Sequence, residues 1–275
     1  MTDRAEFGAF LRGRREALQP SDVGLPPGQR RRTAGLRREE VAALCHMSAD
    51  YYARLERGTG PQPSEQMVGA IAQGLHLTRQ ERDHVFRLAG HRPPEPGVGT
   101  DHVGPGMMRI FDRLTDTPAE VVSELGETLV QTPLAAALFG DASARSGPER
   151  STGWRWFTDP GARDLFPAED REHTSRLYAS SLREVVARRG PDSAAARLAD
   201  ALLARSEEFR ALWDRHEVGL QPGTVKRYDH PEVGRLELHC QVLLDPEQAH
   251  VLLVYTAVPG TASHDRLRLL SVVAA

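Results

Sequence analysis

The sequence predicts an all-α domain of five short helices followed by an α+β domain with an antiparallel sheet. Three observations carry that reading. Apolar residues recur at i, i+3 and i+4 through the first ninety positions, each run opened by a residue that caps helices. The segment from His91 to Pro105 holds four prolines and three glycines and almost nothing to bury, which marks a domain boundary. From Arg235 to Leu244, Leu236, Leu238, Cys240, Val242 and Leu244 alternate with Arg235, Glu237, His239 and Gln241, so one strand face is buried and the other partly polar. The expected division is 1–96, a linker at 97–105, and 106–275.

In chain order, Phe7, Phe10, Leu11 and Leu18 line one face of a first helix from about Thr2 to Leu18. Gln19 to Gly35 follows with three prolines, three glycines and the run Arg30-Arg31-Arg32, and cannot be regular structure. Val41, Leu44 and Cys45, with small Ala42 beside them, define a second helix whose first turn carries Arg37, Arg38, Glu39 and Glu40. Ser48 supplies an oxygen to cap a third, Asp50 lies where the helix dipole favours an anion, Tyr52 and Leu55 form a buried pair, and Gly58 stops the helix. Two short helices joined this way form a helix-turn-helix, whose second member can lie in the major groove of B-DNA. Pro63-Ser64-Glu65 starts a fourth helix with Met67, Val68, Ile71 and Leu75 inward. Thr78 and Glu81 form a capping box for a fifth, continued by Val85, Leu88 and Ala89.

After a short helix around Met108 to Leu114, Glu120 to Leu125 and Thr128 to Gln131 read as strands around a Gly126-Glu127 turn. Thr132-Pro133 then opens a helix stopped by Gly140. A helical middle carries Trp154, Trp156 and Phe157; Leu177, Leu182, Val185 and Val186; Leu198 and Leu202; and Phe209, Leu212 and Trp213. His250 to Val258 is nearly all apolar, as in a central strand, and Ser263 is expected to cap a final helix.

Composition narrows the chemistry. The formal charge of −3 hides an asymmetry: residues 1–92 hold fifteen arginines against eleven acids, and the remainder twenty basic against twenty-seven acidic residues. That fits a DNA-binding head on an acidic body. Every cation is arginine except Lys226. The two cysteines, Cys45 and Cys240, read as reduced core residues. His76, His84 and His91 are spaced too loosely for a metal cage and read as surface or capping residues. No nucleophile elbow, phosphate loop, zinc-binding helix or Cys-x-x-Cys pair is present, so neither catalysis, a cofactor nor a metal is expected. No apolar run reaches the roughly 20 residues that cross a bilayer, and the N-terminus lacks a signal-peptide pattern, so a cytoplasmic protein is expected.

The run Leu36 to Gly58 resembles the helix-turn-helix of the xenobiotic-response-element (XRE) type of regulators, through Glu39-Glu40-Val41-Ala42, the Ser48 cap and the terminal Leu55-Glu56-Arg57-Gly58. The resemblance implies a sequence-specific regulator in which Ser48, Ala49, Asp50 and Tyr51 occupy the DNA-facing first turn. It implies that Arg54 reaches the groove, that Arg38 touches a phosphate or a flanking base, and that Arg57 meets a phosphate. Ala49 suits a thymine methyl and Asp50 a cytosine amino group, unless Asp50 serves only the helix dipole. Arg30, Arg31 and Arg32 are either a DNA-backbone arm or a solvated loop. A short recognition helix reads few base pairs, so a homodimer on an inverted-repeat operator is expected.

Leu134 to Gly140, Ser206 to Trp213, His230 to Gly234 and Tyr255 to Gly260 resemble the MmyB-type ligand-binding domain, which accompanies this helix-turn-helix in a bacterial regulator family. Where members of that family continue an aromatic-Asn pair into Pro133-Leu134, this chain has Gln131-Thr132. The resemblance implies a PAS-like fold and a small, lipid-like ligand such as a fatty acid. Trp154, Phe157, Phe209 and Trp213 either pack on one another or line an apolar cavity against the sheet face bearing Leu238 and Cys240. A second domain that serves only dimerisation or a protein partner is the alternative.

Overall fold

The computed structural model describes residues 4–26, 35–94, 101–245 and 248–273. They form two compact units, Met1–Arg113 and Leu114–Ala275.

The first unit is helical. Helix α1 (Arg4–Ala17) is followed by a 3-10 turn at Pro20–Val23, then α2 (Arg38–Leu44), α3 (Ala49–Glu56), α4 (Glu65–Gly74) and α5 (Arg79–Leu88). The capping oxygens expected at Ser48, Ser64 and Thr78 each accept from the backbone amide three residues on, and Glu81 returns a bond to the Thr78 amide. Leu11, Val41, Tyr52, Val68, Ile71 and Val85 are fully buried in one core, each such side chain stabilising the unit by about 1.5–3 kcal/mol. Close helix approach explains two glycines. A Cβ at Gly8 would stand 2.5 Å from the Glu56 carbonyl oxygen, and one at Gly74 would stand 2.7 Å from Cys45 Sγ.

The unit does not end where the prolines begin. Helix α6 (Pro105–Phe111) buries Met108 and Phe111 and packs on the Pro20–Val23 turn. His102 Nε2 lies 2.6 Å from the Leu77 carbonyl and the Val103 amide donates to Gln73 Oε1 at 2.8 Å. By compactness this helix groups with the first unit. His76, expected at the surface, is buried, with Nε2 3.4 Å from Asp112 Oδ2. The segment 102–113 brings Asp112 beside that histidine, a neighbour that its spacing in the sequence does not reveal.

The second unit is built on a five-stranded antiparallel sheet in the order β2-β1-β5-β4-β3, from β1 (Ala119–Val122), β2 (Thr128–Gln131), β3 (Val225–His230), β4 (Gly234–Asp245) and β5 (His250–Thr256). Five helices separate β2 from β3: α7 (Pro133–Phe139), α8 (Thr152–Thr158), α9 (Ala168–Arg189), α10 (Ala194–Arg205) and α11 (Glu207–Trp213). Helix α12 (Ala262–Val273) follows the last strand. The apolar segment 250–256 takes the centre of the sheet, as its composition requires.

Ser263 is not the final cap. Thr261 Oγ1 accepts from the His264 amide, while Ser263 Oγ accepts from the Glu237 amide at 2.9 Å and ties α12 to β4. Thr132 joins three segments: its Oγ1 donates to the Thr117 carbonyl at 3.0 Å and accepts from the amides of Ala119 and Ala135. Gln131 Oε1 accepts from the Ala142 amide at 2.9 Å. The Gln131-Thr132 pair thus has a structural use in this chain.

Candidate DNA-reading and ligand-binding sites

In the first unit, the exposed start of α3 carries the predicted reading residues. Ser48 Oγ accepts from the Tyr51 amide at 3.2 Å, so this oxygen holds the helix start. Ala49 and Asp50 are exposed, and Tyr51 is partly buried against the core. Asp50 Oδ2 lies 3.2 Å from Arg54 Nε, one helical turn away, with both side chains open to solvent. Arg57 is exposed and its Nε donates to the Ala53 carbonyl at 3.1 Å. The pair Asp50–Arg54 presents an acceptor and a donor fork side by side on the outer surface, the two group types that read cytosine and guanine edges. Arg30, Arg31 and Arg32 lie outside the described residues.

Arg38 is held from beneath. Its Nε donates to Glu56 Oε2 at 2.9 Å and its Nη2 reaches Glu56 Oε1 at 3.4 Å, while about half of its side chain stays exposed (48%). The Glu56 side chain is completely buried and also meets Arg15, at 2.7 and 3.2 Å, and Arg12, at 3.3 Å. Burial pushes the Glu56 carboxyl towards its neutral form, but hydrogen bonds from Arg15 and Arg38 outweigh that and hold its pKa below the usual range. The bond to Glu56 correspondingly raises Arg15. Three cations from two helices thus converge on one carboxylate at the end of α3. Sequence reasoning used Glu56 as part of a motif without its role. The signal was available: an acid in the last turn of a helix opposes the dipole, and Tyr52, Leu55 and Glu56 share one inward phase.

In the second unit, the aromatic residues expected around a cavity divide. Trp154, Phe157, Phe209 and Trp213 belong to a cluster formed by α8 to α11. Phe157 meets Phe209 edge-on at 5.0 Å, and Phe209 stacks on Trp213 at 5.3 Å. Arg205 lies over Trp154 and Arg183 over Trp213, at 5.2 and 4.0 Å from the ring centroids. Leu238 and Cys240 belong to a separate cluster of the sheet with α7 and α12. Phe166 bridges the two clusters, 5.0 Å from Trp156 and 5.4 Å from Tyr228. Phe157, Phe209 and Trp213 thus pack on one another with Trp154 in the same cluster, and the sheet face remains a candidate wall.

That face carries more polarity than the sequence suggests. The register puts Lys226, Tyr228, Cys240, Val242, Tyr255, Leu253 and Glu120 on one side of β3, β4, β5 and β1. Glu120 Oε1 accepts from the Tyr255 hydroxyl at 3.3 Å and Oε2 from Thr128 Oγ1 at 3.4 Å, and burial raises its pKa despite those bonds. Tyr178 of α9 and Arg155 of α8 interact electrostatically with Glu120 from the helical side. Burial raises the pKa of Tyr178, Tyr228 and Tyr255, so their hydroxyls remain neutral donors. Val242 and Leu244, which alternation places on the buried face, are on that face but exposed at 53% and 64%, because nothing described covers this end of β4. A different cleft of about 370 Å³ is lined by charged groups including Arg163, Arg171, Glu172 and Glu208, and its chemistry does not suit an apolar ligand.

Residues 103–270 match the family described as the MmyB-like transcription regulator ligand binding domain, and residues 6–85 match a family described as a helix-turn-helix domain. No curated protein matches the chain. Among the described residues no helix is long and apolar enough to cross a membrane, and no group of three His, Cys, Asp or Glu side chains could hold a metal ion.

Proposed function

Because the chain belongs to the MmyB-like transcription regulators and carries a helix-turn-helix domain, we propose that it is an XRE-type regulator that reads an inverted-repeat operator as a homodimer and responds to a small apolar ligand. Helix α3 enters the major groove with Ala49, Asp50, Tyr51 and Arg54 at base edges, while Arg38 and Arg57 meet phosphates. The observation that carries this reading is the exposed Asp50–Arg54 pair on α3, with Arg38 of α2 held to the buried Glu56 at the end of that helix.

The second unit is the sensor. Its strand order, with the helices inserted between β2 and β3, supports the PAS-like reading. The half-open sheet face beyond Leu238 and Cys240 supports a lipid-like ligand of the fatty-acid type, as ligand sites pair apolar walls with a few placed polar groups. A ligand acts on DNA binding only through different affinities for the two states of the regulator. The alternative, a second unit used for dimerisation alone, is favoured by the exposed Leu269 and Val272 of α12.

Gel shifts on an operator selected from random DNA test the reading role. Arg54→Ala and Asp50→Ala each cost about 1–3 kcal/mol and change sequence preference. Arg38→Ala weakens all sequences alike. Parent-like binding by both Arg54→Ala and Asp50→Ala contradicts the docking.

A further inference from the structure

The candidate ligand face contains a charge that no part of the fold uses. Lys226 is the single lysine among the 35 basic residues of the chain. It lies on β3 directly opposite Leu238 and two positions before Tyr228, which is buried on the same face. The side chain is half-buried and makes no hydrogen bond or ion pair among the described residues. Asp170 acts on it electrostatically but is already engaged by Arg227 through both carboxylate oxygens. An ammonium withdrawn from water without a partner is costly, and burial accordingly depresses its pKa. The neighbouring Arg227 and Arg235 point outward and are paired with Asp170 and Glu169.

An apolar track leads away from this charge. From Leu238 the same face of β4 continues through Cys240 and Val242 to Leu244, roughly 20 Å of strand, flanked on β5 by Tyr255, Leu253 and Val251. The first half is buried and the second half open, with Val242 and Leu244 the exposed members. At the opposite margin, Glu120 stands beside Leu253. A negative head group placed there meets Glu120 and must compete with the hydroxyls that hold it, and the cation on that side, Arg155, already donates to the carbonyls of Glu149 and Arg150, whereas at Lys226 it meets a cation with no hydrogen bond of its own.

We infer that Lys226 anchors the acidic head group of an amphiphilic ligand whose hydrocarbon body lies along Cys240, Val242, Leu244 and Leu253. This rests on the reading that the second unit binds a small apolar ligand, and adds what selects among such ligands. The occupant is a monoanionic amphiphile, a carboxylate being the simplest, oriented with its head at β3. Lysine suits this role because its compact ammonium supplies a point charge beside the thiol of Cys240, where a planar guanidinium demands a wider set of acceptors.

The full chain is tested with dodecanoic acid and dodecanol, which share a tail and differ in the head. The wild type binds the acid more tightly than the alcohol by about tenfold or more, the range of a charge-assisted hydrogen bond. Lys226→Met abolishes that preference while keeping alcohol binding, and Lys226→Arg restores part of it. A second readout needs no variant. Lys226 is the only lysine that acetic anhydride can acylate, and mass spectrometry follows its modification: dodecanoate slows it and dodecanol does not. If neither compound binds the wild type, the ligand reading fails and the anchor with it. If both bind equally and Lys226→Met changes neither affinity, the ligand reading stands and the anchor is overturned.

Discussion

At the scale of single residues, the chain spends its most expensive electrostatics on Glu56. Removing one partner of a buried ion pair leaves an uncompensated charge, whose cost exceeds the net worth of the pair itself. Arg15 is buried and depends on Glu56, whereas Arg12 and Arg38 are about half exposed and keep water as an alternative. Glu56→Gln is therefore expected to destabilise the first unit by about 3–5 kcal/mol, and Arg12→Ala by about 1 kcal/mol or less, both read from urea denaturation. Arg38→Ala differs in kind, since it leaves the Arg15–Glu56 pair intact and acts on DNA affinity. Equal stabilities for the Glu56→Gln and Arg12→Ala proteins contradict the hub. Cys45 shows the opposite use of burial: its thiol is pushed up to about 12 by desolvation alone, and it serves as a small packing group under Gly74.

At the scale of elements, α6 and the residues before it show how a segment of linker composition is recruited to a core. Asp112, held in a desolvated position, has its pKa raised to about 6, while burial lowers His76 to about 4. The two have opposite linkage. A raised folded pKa makes the Asp112 contribution full below about 4 and lost as pH rises through about 6. A depressed folded pKa makes the His76 contribution full above about 6.5 and lost as pH falls through about 4. Between pH 6.5 and 4 they offset each other, so Asp112→Asn is expected to make acid destabilisation of the first unit steeper than in the parent. Denaturant midpoints at pH 7, 5.5 and 4.5 check this, and parallel pH profiles contradict it. Local signals made most elements legible. Caps at Ser48, Ser64, Thr78 and Thr132 and stops at Gly58 and Gly140 lie within a few residues of what they control. Strand β3 was not legible, because Lys226, Tyr228 and His230 on its inward face include only one apolar-bodied side chain. The exposure of Val242 and Leu244 was hidden for another reason: alternation states which face a residue takes, not whether anything covers it.

At the scale of the whole molecule, a DNA-binding transcription regulator carrying a ligand-binding domain is the activity its two families define. The positions proposed to face DNA were named as contiguous residues after a cap, and the fold leaves Ala49, Asp50 and Arg54 of these exposed. The proposed ligand face was not readable in the sequence, because it is assembled from β1, β3, β4 and β5, whose pairing only the fold supplies. One α3 helix of 8 residues contacts only a few base pairs, and the proposed homodimer places two copies about one DNA turn, roughly 34 Å, apart. The most direct measurement is selection of bound sequences from random duplex DNA by the full chain, followed by footprinting of the enriched site. The expected result is an imperfect inverted repeat protected over two half-sites, with Arg54→Ala relaxing the same position in each half. No enriched sequence, or a single half-site whose preference Arg54→Ala leaves unchanged, contradicts the account.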